Sequence, residues 1–315
     1  MTKPGRSHPD SPLAGIAFKM VSVAVFVAMS SMIKAAGPLP TGQVVFFRSF
    51  FAILPIVIFL AWNHDLRRAL HTTRPVSHFL RGLVGVTSMA LGFFGLARLP
   101  LPESVTINYA QPLLVVVFSA VILGETIRFY RWSAVVVGLI GVFIISWPKL
   151  TLFSEAAAFG NDEALGALAT LGGAAASAMA MILVRSLVHT EKTSTIVIWF
   201  SLSASLLALL SIPFGWQALT MEQAALLVGS GICGGIAQLL MTEAYRHAEA
   251  SVVAPFEYTS MLLAIAVGYV VFGDVPTVHM LVGGLIVVGA GIFIILRERR
   301  LGIERAAAKE ATPPQ

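Results

Sequence analysis

The sequence predicts an all-α polytopic membrane protein in which ten transmembrane helices form two inverted five-helix repeats. Three observations carry this expectation. Hydrophobic residues make up 57% of the chain and charged residues only 12%, about half the roughly 25% typical of soluble domains, so lipid has to solvate most of the surface. The apolar residues fall into ten runs, most of them near the roughly 20 residues that a helix needs to cross a hydrocarbon layer. The third observation is a duplication: SVTINYAQPLLVVVFSAVILGE, from Ser104 to Glu125, is echoed by VVAPFEYTSMLLAIAVGYVVFGD, which ends at Asp274. One offset of 149 residues aligns Tyr109 with Tyr258, Leu113 with Leu262, Leu114 with Leu263, Val121 with Val270, Gly124 with Gly273 and Glu125 with Asp274. The tyrosine, the glycine and the closing acid weigh most, because apolar matches arise readily from composition.

In chain order, residues 1–11 are a polar N-terminal tail. The first apolar run, 12–36, exceeds the roughly 7 to 15 residues of a signal-peptide core and is read as a retained span. The others fall near 42–62, 76–97, 103–123, 131–147, 164–187, 194–212, 222–246, 251–271 and 276–296. Runs such as LLVVVFSAVIL lack the alternation of a barrel strand. Proline and glycine clusters mark the turns, among them Gly37 with Pro38 and Pro40, Pro100 with Pro102, and Pro213 with Gly215. The longest connector, 148–163, divides a first repeat at 12–147 from a second at 164–296, and 297–315 is a C-terminal tail. Five helices is an odd number, so the second repeat enters the membrane from the opposite face. Seventeen of the 21 Lys and Arg residues lie at the termini and the even-numbered junctions, which predicts cytoplasmic termini.

Several chemistries are excluded by what the chain lacks. Its net charge of +5 is dispersed between apolar runs, unlike the basic face of a nucleic-acid binder. The single Cys233 and seven isolated histidines offer no metal-ligand spacing. Gly229, Gly231 and Gly234 have GxGxxG spacing but lie inside an apolar run with no preceding strand, which reads as helix packing. There is no phosphate-binding GxxxxGK[ST] sequence, and no cofactor is expected.

Polar groups within the runs carry more information, because a charge in the bilayer persists only when paired or hydrated. Arg48, about six residues into the second run, is either an interhelical ion-paired residue or a cavity residue. Lys34 reads as snorkelling to the outer headgroups, and Lys19, Arg81 and Arg185 as interfacial anchors. Glu243 has Arg246 and His247 at helical spacing and reads as a local ion pair. Glu257 has no basic residue three or four positions away, and its counterpart in the first copy is Asn108. Polar groups at one place in both copies predict a shared central cavity, so Asn108, Tyr109, Gln111, Glu257, Tyr258, Gln238 and Arg48 are the candidate substrate-binding residues. Phe46, Phe47, Phe50, Phe51, Phe93, Phe94, Trp199 and Phe256 are candidates for apolar walls, and Glu125 and Asp274 for helix caps or partners of a neighbouring base.

With Lys34 closing its first run, FFRSFF around Arg48, QPLLVVVFSAVILGE and the second copy GYVVFGD, the chain resembles the drug/metabolite transporter superfamily in its ten-helix EamA-type branch. It departs from that pattern at Met261, opposite Pro112, and at Asp274 in place of Glu. The resemblance implies a multi-pass protein of the bacterial inner membrane that moves a small organic metabolite by alternating access. GQVVFFRSFFAILP and LPLPESVTINYAQPLLVV look most like the branch associated with riboflavin uptake, which makes riboflavin the first substrate expectation. An exporter of amino acids, drugs or another metabolite such as S-adenosylmethionine is the alternative. From other classes, an intramembrane enzyme or a passive channel stays open, although Cys233 has no visible catalytic companion.

Overall fold

Lipid offers no hydrogen-bond partners, so an apolar run satisfies its backbone by coiling on itself. Accordingly the computed structural model is helical apart from short turns over the residues it describes, which are 12–62, 66–123, 129–147, 162–187, 190–191, 193–247 and 254–310. Ten rods cross the bundle. They are α1 (Pro12–Ala35), α2 (Thr41–Trp62), α3 (Pro75–Leu96), α4 in two pieces (Leu101–Asn108 and Ala110–Leu123), α5 (Phe129–Ser146), α6 (Asp162–Leu187), α7 (Thr193–Leu209), α8 (Met221–His247), α9 and α10 (Val278–Glu310). The α9 rod begins as a 3-10 turn (Ala254–Tyr258), continues as Thr259–Val267 and ends in a π turn (Gly268–Phe272) closed by Gly273 at φ 68°. Seven rods have the length and apolarity to cross a membrane, while α5, α7 and α9 are shorter apolar helices.

The packing shows the duplication. Helix α1 lies along α8 as α6 lies along α3; α2 meets α8 as α7 meets α3; and α9 touches α1 as α4 touches α6. Advancing each number by five exchanges the members of every pair, and the α5–α10 and α2–α7 contacts map onto themselves. That is the contact pattern of two inverted five-helix repeats. At the α5–α10 seam a Cβ on Gly141 would lie 2.7 Å from the Gly283 carbonyl oxygen, so only glycine permits this approach. Gly231, from the GxGxxG spacing, does the same at α8, where a Cβ would lie 2.7 Å from the Phe47 carbonyl. That motif is therefore a packing surface.

Buried clusters run along these seams. One joins Ile107, Tyr109, Val142, Ile145 and Val287 from α4, α5 and α10 with Ala167 and Ala174 of α6. A second joins Met29, Ile33, Val44, Leu96, Leu101 and Leu227. Large apolar side chains on the outside, such as Leu54, Ile58, Val136, Ile140 and Leu285, are exposed as a lipid-facing surface requires.

Candidate functional site

The helix irregularities coincide with the duplicated tyrosines. Helix α4 is interrupted at Tyr109, and α9 passes from 3-10 to α geometry after Tyr258. The two rings meet edge to face with centroids 5.1 Å apart. The Tyr109 hydroxyl shares a hydrogen bond with Ser260 and donates to the Glu257 carbonyl at 3.4 Å. Tyr109 is 7% exposed and belongs to the α4–α5–α10 core. The Tyr258 hydroxyl fills the place that a side chain on Gly291 of α10 would need. This pair therefore ties α4 to α9 and both to the α5–α10 seam.

Glu257 leads elsewhere. Its carboxylate pairs with Lys19 of α1, and the lysine is buried at 1% exposure while the Glu257 side chain is 46% exposed. Lys19 is thus no interfacial anchor; it lies about 10 Å along α1 by helical rise, where burial requires a counter-charge. That counter-charge comes from the other repeat, 238 residues away. Nearby, the Phe18 ring lies 5.3 Å from that of His247, whose Nδ1 is 2.9 Å from the Glu243 carbonyl oxygen and 3.9 Å from its carboxylate. The local pairing expected at Glu243 is present with His247; the Arg246 side chain lies outside the described residues.

At the other end of the same two helices, Lys34 donates to the Leu99 carbonyl at 2.6 Å and lies 3.8 Å from Asp274, whose carboxylate accepts from the Leu101 amide at 3.1 Å. Lys34 therefore turns inward toward the start of α4 and the end of α9 instead of snorkelling out, because a backbone carbonyl and an acid sit within its reach. Asp274 is the partner of a neighbouring base, as expected. Glu125 lies outside the described residues, as does the Arg185 side chain.

Arg48 stands apart from both pairs. Its Nη1 reaches Met89 Sδ of α3 at 3.8 Å, and a Cβ on Gly234 of α8 would lie 3.3 Å from its Nε and 3.0 Å from Met29 Sδ of α1. The guanidinium is thus ringed by helices of both repeats. Among the described residues it forms no ion pair, and its Nε is buried without an acceptor. Gln238 lies one turn beyond Gly234 on the same face of α8 and is half-buried, as is Gln111, whereas Asn108 is exposed. Of the candidate residues, Tyr109, Tyr258 and Glu257 are therefore brought together, whereas Arg48 lies apart from them against Met89 and Gly234. The aromatic residues of α2 stack along their own helix, Phe46 on Phe50 at 5.3 Å and Phe47 on Phe51 at 5.7 Å, with Trp216 beside Phe46.

Sequence reasoning did not single out His78 and Glu191. Glu191, in the turn before α7, accepts from the Thr72 and Thr73 hydroxyls at 2.7 and 3.2 Å and from the Thr73 amide at 3.0 Å, with His78 at 4.0 Å. Burial pushes its pKa up, but these hydrogen bonds and the nearby imidazole outweigh that and hold it below the ordinary carboxylate value. No signal within the sequence joins Thr72 to a residue 119 positions later.

Two inverted helical repeats are the architecture of many membrane transporters. The profile of the EamA-like transporter family matches residues 13–147 and again 164–297, and the chain belongs to that family. It is similar to an S-adenosylmethionine uptake transporter of Rickettsia bellii, 29% identical with 91% of this chain and 94% of that one covered. It is also similar to the pseudopaline exporter CntI of Pseudomonas aeruginosa, 28% identical with 89% and 95% covered, and to a riboflavin transporter of Vibrio cholerae, 28% identical with 90% and 93% covered. A crystal structure only 20% identical superposes with a TM-score of 0.63 over 92% of this chain and 99% of the other, sharing the fold. The chain is a multi-pass transporter of a small molecule and not an enzyme.

Proposed function

We propose that this protein is a secondary carrier of a bacterial inner membrane, with both termini cytoplasmic, that moves a small organic metabolite by alternating access. The observation that carries the reading is the pair of ionic contacts between α1 and α9, Lys19 with Glu257 near one face and Lys34 with Asp274 near the other. Each joins one repeat to the other, and each is a contact that has to part before its face of the bundle opens. The bias of Lys and Arg toward the termini and even-numbered junctions supports the orientation. In this scheme Glu257, half exposed beside the break in α9, either bonds the solute or carries a proton when its pair with Lys19 parts. Asn108, Tyr109, Gln111, Tyr258 and Gln238 are the remaining wall and support residues of the route.

Riboflavin is the first solute to test, since a relative bears that name. Arg48 favours a second reading, a carboxylate-bearing solute such as the S-adenosylmethionine named for the Rickettsia relative, because the flavin has no anionic group for an unpaired guanidinium. Expression in a bacterium that neither makes nor imports riboflavin, alongside uptake of radiolabelled S-adenosylmethionine into proteoliposomes, separates the two. Growth rescue without labelled uptake selects the flavin; the reverse selects the carboxylate solute. Neither result from correctly inserted protein removes both candidates. Thiol labelling of a cysteine placed in either tail from outside intact cells would overturn the orientation.

A further inference from the structure

Five polar side chains of α2, α3 and α7 have buried nitrogen or oxygen atoms with no hydrogen-bond partner: Arg48 Nε, Ser49 Oγ, both ring nitrogens of His78, Nε and Nη1 of Arg81, and the Trp199 indole nitrogen. Buried polar atoms are ordinarily satisfied, and those left over in one place call for an explanation. Most of these atoms are also of one kind. Apart from one hydroxyl and one imidazole, every one is an obligate donor.

The side chains are gathered by packing. Helices α2, α3 and α7 contact one another, the Arg81 guanidinium lies 3.5 Å over the Phe200 ring of α7, and the ring of His78, one turn from Arg81 along α3, lies tilted 5.8 Å from that of Trp199. Arg81 Nη1 reaches along α3 to within 3.3 Å of where a Cβ on Gly85 would lie, and Arg48 touches Met89, the residue one turn further along the same helix. Among the described residues neither arginine forms an ion pair. His78 has Glu191 at 4.0 Å, but that carboxylate is already held by Thr72 and Thr73 at the helix end. Two cations with orphaned donors and no counter-ion are costly inside a bundle. An anion supplied by the solute removes both costs.

We infer that Arg48 and Arg81, with the Trp199 and His78 nitrogens on the Arg81 side, form a subsite for a carboxylate group of the transported solute. The inference rests on the carrier reading above and names the chemistry of its substrate. The arrangement suits a planar oxyanion, since guanidinium forks match carboxylate geometry. Arg48 is ringed by α1, α3 and α8, which places this charge on the route between the repeats. The subsite ranks a carboxylate solute ahead of the uncharged flavin.

The test uses purified full-length protein in detergent and three probes: S-adenosylmethionine, its carboxyl methyl ester and riboflavin. The free acid is expected to raise the melting temperature, with the ester and riboflavin giving little shift. Arg48→Gln and Arg81→Gln are expected to weaken the free-acid dissociation constant by about tenfold or more, as loss of a charged hydrogen bond does. Trp199→Phe, which removes one donor and keeps the ring, guards against misfolding of the arginine variants; it is expected to narrow the acid-to-ester preference several-fold in folded protein. An ester or flavin shift equal to that of the acid, no shift with the acid, or an acid preference untouched in all three variants overturns the subsite. Uptake of either solute that persists in folded Arg48→Gln and Arg81→Gln proteins overturns the subsite and leaves the carrier intact. Acid binding that needs both arginines, without uptake of any probe, supports the subsite and goes against transport of these solutes.

Discussion

Lys19 carries its charge at 1% exposure, where it pairs with the Glu257 carboxylate. Removing one member of a buried pair leaves an uncompensated charge and costs about 3–5 kcal/mol, whereas replacing both with neutral groups is close to neutral. Lys19→Met is therefore expected to lower the melting temperature of the detergent-purified protein only modestly, because Glu257 retains solvent access, while Glu257→Gln strands the buried lysine and lowers it more. The double variant should recover most of the loss. Additive effects of the two changes, read in the same thermal melts, would show that the pair is not coupled. Glu191 gives a different readout. Its carboxyl titrates below the ordinary value near 4.5 because of the Thr72 and Thr73 hydrogen bonds, so the folded state binds fewer protons than the unfolded one across that window. The stability it contributes is present above the unfolded pKa and disappears as pH falls through the folded pKa. The difference in melting temperature between wild type and Glu191→Gln should be full at pH 6 and shrink progressively below about pH 4.5.

Among the elements, α5 and α10 form the seam where the two repeats meet themselves. Gly141 and Gly283 each stand where a Cβ would lie within 2.7 Å of the other's carbonyl oxygen, so the clash falls on backbone and cannot be relieved by a rotamer. Gly283→Leu is expected to abolish monodisperse folded protein, while Gly289→Ala, which meets nothing within 4 Å, should leave elution and melting unchanged or slightly raise stability through better helix propensity. Size-exclusion profiles of the two variants check this. The ten rods were legible because each apolar run is a solvation requirement written in one continuous segment. The breaks in α4 and α9 were not, although the 149-residue register had marked both tyrosines. Local pattern does not say that Tyr109 bonds Ser260 or that Tyr258 fills the space over Gly291. For the same reason Lys19, Lys34 and Arg81 read as interfacial from their distance to a helix end. Their actual contacts, Glu257, Leu99 with Asp274, and Phe200, come from helices far away in sequence.

Across the whole molecule, the repeats are alike in packing and unlike in charge. Helix α1 meets α9 as α6 meets α4, yet only the first contact carries lysines: the register positions of Lys19 and Lys34 in the second repeat are Leu168 and Leu183. The α1–α9 seam therefore holds an ionic contact toward each end, and under the proposed alternating-access cycle the balance of the two biases which side opens. A substitution that weakens one contact shifts the population toward opening on that side, by no more than the free energy the contact supplied. Asp274→Asn removes the charge facing Lys34 and is expected to favour the state open at the Lys34 end; Glu257→Gln is expected to favour the opposite state. A cysteine in place of Met29, which lies beside Arg48 between the repeats, reports the difference when Cys233 is first changed to Ser. Labelling by a membrane-impermeant maleimide from the periplasmic side should rise with Asp274→Asn and fall with Glu257→Gln, and inside-out vesicles should give the reverse. Equal changes on both sides would mean that the two ion pairs stabilise the bundle without selecting which face opens.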